Sequence, residues 1–323
     1  MSRSVAQWQS LVEERLKALQ LPDVPENLYA PVRYMLALGG KRMRPVALLM
    51  SADMFGAEME TAMPAALGIE VFHNFTLLHD DIMDKAPLRR GQSTVHEKWN
   101  ADIAILSGDT MFVKSCQLMM NVPHATVTPV MDLFFRTAIE VCEGQQFDMD
   151  FQSISLVTID DYLEMIRLKT AVLLGAGMGI GALIGGASAN DAQHLYDFGV
   201  NLGVAFQLQD DILDVYGDAG KFGKQVGGDI LANKKTYLLL TALNKASDEQ
   251  RESLLRWLKT DGGEGKVQAV TEIFNSLGVK ESAFAQMEKL YQVAMDHLKA
   301  IPLSEEDKKP LNDLAYMLMH RQQ

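Results

Sequence analysis

Two copies of one acidic motif, Asp-Asp-x-x-Asp, constrain this chain more than any other feature. The first is Asp80-Asp81-Ile82-Met83-Asp84 and the second is Asp210-Asp211-Ile212-Leu213-Asp214, 130 residues further on. Each sits in an apolar run of helical period, after Leu77-Leu78 in one case and Leu208-Gln209 in the other. On a helix, residues four apart share a face, so Asp80 stacks with Asp84 and Asp210 with Asp214. Like charges at that spacing repel, and a fold tolerates two such clusters more readily when cations neutralise them. Hard oxygen donors, few in number and leaving room for water and phosphate oxygens, suit Mg²⁺. A lone motif of this kind is often just a solvated helix face. Two copies flanked by Leu, Ile, Met and Phe would carry too much apolar surface into water for that reading. Facing each other, they would cage several Mg²⁺ and a diphosphate.

The rest of the chain also reads as helix. Leu, Ala, Met, Glu and Gln are abundant, and β-branched alternation is scarce. The pattern predicts long helices over 60–84, 102–121, 126–150, 159–187 and 191–216, with breaks at Pro123, Pro129 and Asn190-Asp191. Shorter helices are expected over 4–20, 26–38, 45–55, 229–258 and 266–319. No strand-rich stretch and no repeat beyond the two motifs stands out. The expectation is a single all-α domain over residues 1–323, and a chain that is 48% hydrophobic can build a sizeable core.

Charge and cysteine content exclude other classes. A net charge of −12 argues against nucleic acid and against an anionic membrane surface as partners. Cys116 and Cys142 belong to no Cys-x-x-Cys pair, so a reduced, cytoplasmic location is expected. The N-terminal residues Met1 to Trp8 contain no apolar signal core. The stretch from Ala171 to Asn190 carries no charge and is long enough on paper for a membrane span. It is crowded with glycine, including Gly175, Gly177, Gly179, Gly181, Gly185 and Gly186, and reads as a close-packed internal helix. Its glycine spacing, with no preceding strand, does not make a dinucleotide fingerprint.

Basic residues gather around the acidic motifs. Lys41, Arg42 and Arg44 lie in Gly39-Gly40-Lys41-Arg42-Met43-Arg44-Pro45, and Arg89 and Arg90 follow the first motif. Lys169 stands in Arg167-Leu168-Lys169-Thr170; Lys224 lies within the Gly-rich loop Gly217 to Asp229 that follows the second motif, and Lys234 and Lys235 come after it. Glycine lets a backbone curl closely around an anion. Carboxylates plus separate cations suggest two anionic ligands, one held through metal and the other directly by Lys and Arg. At about 100° per residue, His73 falls on the Asp80 stripe. Gln207, three before Asp210 and seven before Asp214, lies on the side of those residues. His79 points elsewhere and reads as structural.

With these motifs the chain resembles the trans-isoprenyl diphosphate synthases, the farnesyl and geranylgeranyl diphosphate synthase family, from Gly39 to about Thr236 by motif and beyond by length. The resemblance implies an all-α bundle of long helices around a deep central cavity, a homodimer, and about three Mg²⁺ per active site. By the same resemblance Asp80, Asp84 and Asp210 are the direct metal ligands. Asp81, Asp211 and Asp214 bind metal or support those that do, and Lys169 joins them as catalytic. Arg89, Lys169, Thr170, Gln207 and Lys224 are expected on the allylic diphosphate, with Lys234 a further candidate. Lys41, Arg44, His73 and Arg90 are expected on isopentenyl diphosphate. Gln145 and Asp148 match a family element in the cavity wall.

The expected chemistry is ionisation of an allylic diphosphate followed by attack of the isopentenyl double bond, in an apolar cavity that excludes water. The released diphosphate is the expected proton acceptor. A class I terpene cyclase would leave Gly39 to Pro45 and Arg90 without a role. A non-catalytic subunit of a heteromeric synthase would have lost part of the motif set, and a head-to-head synthase needs no isopentenyl site. Product length is expected at C15 to C20, favouring C20. The residues just upstream of the first motif, Phe72, Phe75 and Thr76, are the candidate wall, with Phe75 the most obstructive.

Overall fold

The computed structural model describes residues 3–154, 156–217, 227–260 and 263–320. Ten labelled helices lead up to the second motif. They are α1 (Val5–Lys17), α2 (Glu26–Ala37), α3 (Met43–Met54), α4 (Met59–Met83), α5 (Val95–Lys98), α6 (Ala101–Met119), α7 (Val127–Ser153), α8 (Ile159–Ile166), α9 (Val172–Ile184) and α10 (Ala189–Tyr216). A single π-turn, Arg167–Ala171, joins α8 to α9. Further helices span Gly228–Leu231, Tyr237–Lys245, Asp248–Leu258, Glu264–Ser276, Val279–Ala300 and Glu305–Met319.

Local chemistry explains where the helices start. The Ser4 and Thr158 side chains each accept from the backbone N–H three residues on, and Gln7 and Asp161 reach back to close capping boxes. Asn100 caps α6 through the Ile103 N–H. The five long helices agree with the sequence reading to within one turn, but the break expected at Pro129 does not occur: Pro129 lies in the first turn of α7, where its missing N–H costs no helix hydrogen bond. The C-terminal part does not run as two helices. Asn233 takes a left-handed φ of 55° and a Ser247–Gln250 capping box restarts the chain, so 229–258 divides into three helices. Gly278 at φ 61° and a cap by Ser304 on the Asp307 N–H divide 266–319 in the same way.

A two-residue hairpin, absent from the sequence expectation, follows the first motif. Leu88–Arg89 pairs antiparallel with Gln92–Ser93. Its turn residues Arg90 and Gly91 both have positive φ, 53° and 76°, the pattern that matches the twist of a tight hairpin.

The chain forms two compact units. One comprises Met1–Ala138, Leu173–Tyr196 and Ile301–Leu311, and the other Ile139–Val172, Asp197–Ala300 and Asn312–Gln323. In the first, α4 is buried along most of its length, with α3 and α6 packed against it. A core cluster of Val32, Met35, Leu36, Val71, Leu78, Ala104 and Met111 ties α2, α4 and α6 together. The glycines of α9 serve close packing on α3. A Cβ at Gly181 would overlap the Leu48 carbonyl oxygen, and one at Gly185 would stand 2.6 Å from Phe55 Cβ. The run Ile159–Ile184 is long and apolar enough to cross a membrane, but 78% of its apolar window is buried inside the protein, as expected of a core helix. In the second unit, Gln209 on α10 donates to the Met319 carbonyl at 2.7 Å, and Lys235 donates to the carbonyls of Phe151 (2.5 Å) and Ile154 at the end of α7.

Candidate active site

The first motif ends α4. Asp80 is partly buried, Asp81 is buried and Asp84 is the exposed C-cap residue, with its N–H on the Asp80 carbonyl at 2.9 Å. The hairpin brings Arg89 onto the middle aspartate. Arg89 Nε donates to both Asp81 oxygens at 2.9 Å, and Nη2 stands 2.7 Å from Asp81 Oδ1 and 3.8 Å from Asp80 Oδ2. Burial pushes the Asp81 carboxyl above its ordinary value, against the opposing pull of Arg89.

Beside this motif the first unit gathers cations. Arg44 on α3 reaches His73 on α4, Nη1 to Nε2, at 3.2 Å. With Arg44 as donor, Nε2 of His73 is the acceptor and the ring proton is assigned to Nδ1. Burial and then the nearby charges of Arg44, Arg90, Arg89 and Arg42 hold His73 well below the ordinary histidine value, so the ring is neutral near pH 7. Arg44 is itself lowered, by burial first and then by Arg90. Arg90 turns back to donate to the Gly39 carbonyl, and its guanidinium packs over Gly40, where a Cβ would stand 3.0 Å from Nη1. Lys41 is exposed, and its carbonyl accepts from Gln9 Nε2 at 2.7 Å.

Arg42 has a different part to play. It is only 3% exposed, has a left-handed φ of 48°, and is paired with Glu13 and Glu70, each at 2.6 Å, and with the Leu36 carbonyl at 2.8 Å. It is an internal brace that anchors the basic loop between α2 and α3. Nothing in the sequence distinguished it from Lys41 and Arg44.

The second unit repeats the arrangement around α10. Asp211 is buried, Asp210 and Asp214 are partly so. Tyr162 Oη donates to Asp211 Oδ2 at 2.5 Å and Gln207 Nε2 to Oδ1 at 3.3 Å. Burial pushes the Asp211 carboxyl up to about 7, with Asp229 adding to the rise and the Tyr162 and Gln207 hydrogen bonds opposing it. Asp214 Oδ2 accepts from the Asp229 N–H at 3.0 Å. Lys169 Nζ stands 2.5 Å from Asp148 Oδ2, and Thr170 is partly buried beside it in the π-turn. Gln145, one turn before Asp148 on α7, is also partly buried. Lys234 pairs with Asp229 at 3.0 Å. Burial acts against its charge, but Asp229, Asp148 and Asp214 outweigh that and raise it. Lys224 lies outside the described residues. Lys235, which caps α7, is structural.

In both motifs the middle aspartate is the buried one, held by protein side-chain donors, and the outer two, four residues apart, are the more exposed. Among the described residues no group of three or more His, Cys, Asp or Glu converges on one point. Few carboxylates, no thiolate and no imidazole among them fit a hard cation that keeps water and phosphate oxygens in its shell, which describes Mg²⁺.

Upstream of the first motif lies an aromatic cluster. The Phe72 ring centroid is 5.5 Å from Phe75, 6.0 Å from Phe112 and 5.2 Å from Phe134, and Phe75 is 5.5 Å from Phe112. His79 packs edge-on to Phe75 at 4.8 Å, and its Nε2 lies 3.2 Å from the Ile105 carbonyl, which agrees with a structural histidine. Thr76 Oγ1 donates to the His73 carbonyl at 2.8 Å. Sequence reasoning missed Tyr162, Asp229, Phe112 and Phe134. Tyr162, Phe112 and Phe134 lie tens of residues from their partners, and Asp229 fifteen from Asp214, beyond the reach of local pattern.

Comparison with known proteins agrees with this arrangement. The polyprenyl synthetase family model matches residues 25–277. The geranylgeranyl diphosphate synthase of Sulfolobus acidocaldarius is 38% identical over 295 residues, covering 90% of this chain and 89% of that one. The geranylfarnesyl diphosphate synthase of Natronomonas pharaonis is 34% identical, covering 98% and 97%. The crystal structure of a geranylgeranyl pyrophosphate synthetase from Pyrococcus horikoshii superposes with a TM-score of 0.91 at 32% identity, covering 98% of each chain. The chain belongs to the polyprenyl synthetase family. With that family goes the class of chemistry: it is a trans-prenyltransferase of isoprenoid biosynthesis with the all-α fold.

Proposed function

We propose that the chain joins isopentenyl diphosphate head-to-tail to an allylic diphosphate and releases an all-trans prenyl diphosphate of C15 to C20, with C20 favoured. The observation that carries this reading is the pair of cations Arg44 and Arg90, with neutral His73 accepting from Arg44, beside the residues that hold the first aspartate motif. A terpene cyclase binds a single diphosphate and has no use for such a group. Burial and like charge act against both arginines, only partly offset by Glu70, so an added anion would be favourable, and arginine forks match phosphate oxygens. With Lys41 they bind the isopentenyl diphosphate.

The allylic diphosphate is held by Arg89, Lys169, Thr170, Gln207, Lys224 and Lys234. A lysine has three donors, so Lys169 can keep Asp148 while it reaches a phosphate oxygen. Asp80, Asp84 and Asp210 hold Mg²⁺, and Asp214 supports them. When bound, the metal neutralises the charge that develops on the departing diphosphate. The allylic carbon–oxygen bond breaks, and diphosphate takes the electron pair. The isopentenyl double bond attacks the allylic carbon, a new carbon–carbon bond forms, and the departed diphosphate accepts the proton that is lost. The aromatic cluster of Phe72, Phe75, Phe112 and Phe134 sets the length at which growth stops.

A second copy of the chain is the proposed partner. On α6 and at its C-cap, Leu106, Val113 and Met120 lie seven residues apart, beside Ile105, and are 60%, 57%, 58% and 45% exposed. An apolar helix stripe of this kind supports a self-interface. The purified chain, given isopentenyl diphosphate with dimethylallyl, geranyl or farnesyl diphosphate and Mg²⁺, should form C20 product unaided. Consumption of an allylic diphosphate alone, with a cyclic hydrocarbon as product, would instead establish a cyclase.

A further inference from the structure

Helix interiors disfavour glycine, which gains nothing there from its conformational freedom. Yet α7 carries Gly144 and α10 carries Gly203 within regular helix. Both glycines are buried, and both touch the same short stretch of chain. A Cβ at Gly144 would overlap the Lys169 backbone nitrogen and stand 2.7 Å from the Leu168 carbonyl carbon and from Lys169 Cα. One at Gly203 would stand 2.8 Å from both Cα and Cβ of Ala171. All of these contacts fall within the π-turn Arg167–Ala171, closed by the Val172 N–H on the Arg167 carbonyl.

A π-turn is wider than an α-turn by one residue, is intrinsically less stable, and persists where its surroundings hold it. Here the surroundings are two helix backbones at glycine distance. One turn beyond Gly144 on the same face is Asp148, which holds Lys169 Nζ at 2.5 Å. One turn beyond Gly203 is Gln207, which donates to Asp211. The glycines thus lie in register with the polar groups of the site, and contact backbone where those groups contact side chains.

We propose that Gly144 and Gly203 are positioning residues for the allylic diphosphate site. They let α7 and α10 close on the π-turn from two helices and so hold Lys169 and Thr170 at their working height. The inference rests on the assignment of Lys169 and Thr170 to the allylic substrate. A methyl group at either glycine cannot be absorbed by a side-chain rotation, because the atoms it meets are mainly backbone. The π-turn must move, and Lys169 with it.

The test is kinetic, with thermal unfolding measured alongside. Gly144→Ala, Gly203→Ala and Lys169→Ala are compared with the parent, and each glycine substitution is repeated in the Lys169→Ala background. Each glycine variant is expected to lower kcat/KM for the allylic diphosphate by at least about tenfold while the KM for isopentenyl diphosphate stays within about twofold, since displacing a positioned group by about 1 Å costs rate steeply. In the Lys169→Ala background most of that loss should vanish, because the glycines act through the lysine. If Gly144→Ala does not fold, Gly203→Ala, whose overlap is the milder, carries the same comparison. Normal allylic kinetics in a folded glycine variant, or an undiminished loss without Lys169, overturns the proposal while leaving the site assignment standing. A kinetically silent Lys169→Ala removes that assignment, and the proposal with it.

Discussion

Arg89 and Arg90 are adjacent in the chain and serve opposite neighbours. Arg89 forks over the buried Asp81 carboxylate, whereas Arg90 turns away to the Gly39 carbonyl and the neighbourhood of Arg44. The positive φ of Arg90 in the hairpin turn divides the pair. Arg89→Ala should therefore leave a buried carboxylate short of its partner and lower stability by about 1–3 kcal/mol. Arg90→Ala should barely move the unfolding temperature and raise the KM for isopentenyl diphosphate about tenfold. Thermal unfolding and two-substrate kinetics on both variants check this, and equal effects from the two would refute the division.

Asp80→Ala or Asp210→Ala should cut turnover by at least about a hundredfold, because a lost ligand weakens a term that acts mainly on the leaving group in the transition state. Both residues are partly exposed, so the fold should survive. Chelator should abolish activity and added Mg²⁺ restore it. Turnover that persists in chelator would contradict the metal assignment.

Lys41→Ala and Arg44→Ala should raise the KM for isopentenyl diphosphate by about tenfold or more and that for the allylic substrate far less. Should the allylic KM rise instead, the two sites have been assigned the wrong way round.

His73 gives a pH-dependent signature. Burial and the surrounding arginines hold its folded value below the unfolded one of 6.5. As pH falls below that value, the unfolded chain takes up the proton first. The contribution of neutral His73 is therefore fully present above about pH 6.5 and is lost on acidification, at no more than about 1.4 kcal/mol per pH unit for a single proton. Asp211, raised to about 7, has the opposite sign. The stability difference between the parent and His73→Gln isolates the histidine, and it should shift against the parent between about pH 7 and about pH 5. A difference independent of pH would show that His73 titrates normally.

Phe75→Ala should lengthen the product beyond C20, because it opens the aromatic cluster beside Phe72 and Phe112. Phe75 is only partly buried, so a loss of about 2–3 kcal/mol is expected at most. Chromatographic sizing of the dephosphorylated products gives the answer. An unchanged distribution would move the ruler to Phe72 or Phe112.

What the sequence disclosed depended on the range of the interaction. The long helices and the stacking of Asp80 with Asp84 follow from a 3.6-residue period that neighbouring residues carry, and they were legible. So was close packing of the glycine-crowded stretch, because a helix rich in small residues has few other uses. The breaks at Asn233 and Ser304 were not, since apolar periodicity continues on either side of them. The role of the middle aspartates could not be read either. Asp211 is held by a tyrosine 49 residues earlier in the chain, and Arg42 is distinguished from Lys41 only by the two glutamates that tertiary packing brings to it.

The spacing of α3 and α9 has a consequence for anyone who alters this protein. A Cβ at Gly177 would press within 3.2 Å of the Arg44 carbonyl oxygen, and Gly181 and Gly185 extend that contact along α3. The height at which Arg44 sits is thus set partly by uncharged backbone of α9. If Arg44 binds isopentenyl diphosphate as proposed, a methyl group placed there should weaken that affinity with every charged residue untouched. Mutational surveys confined to lysines, arginines and aspartates would pass over the positions that govern how well those charges fit their ligand.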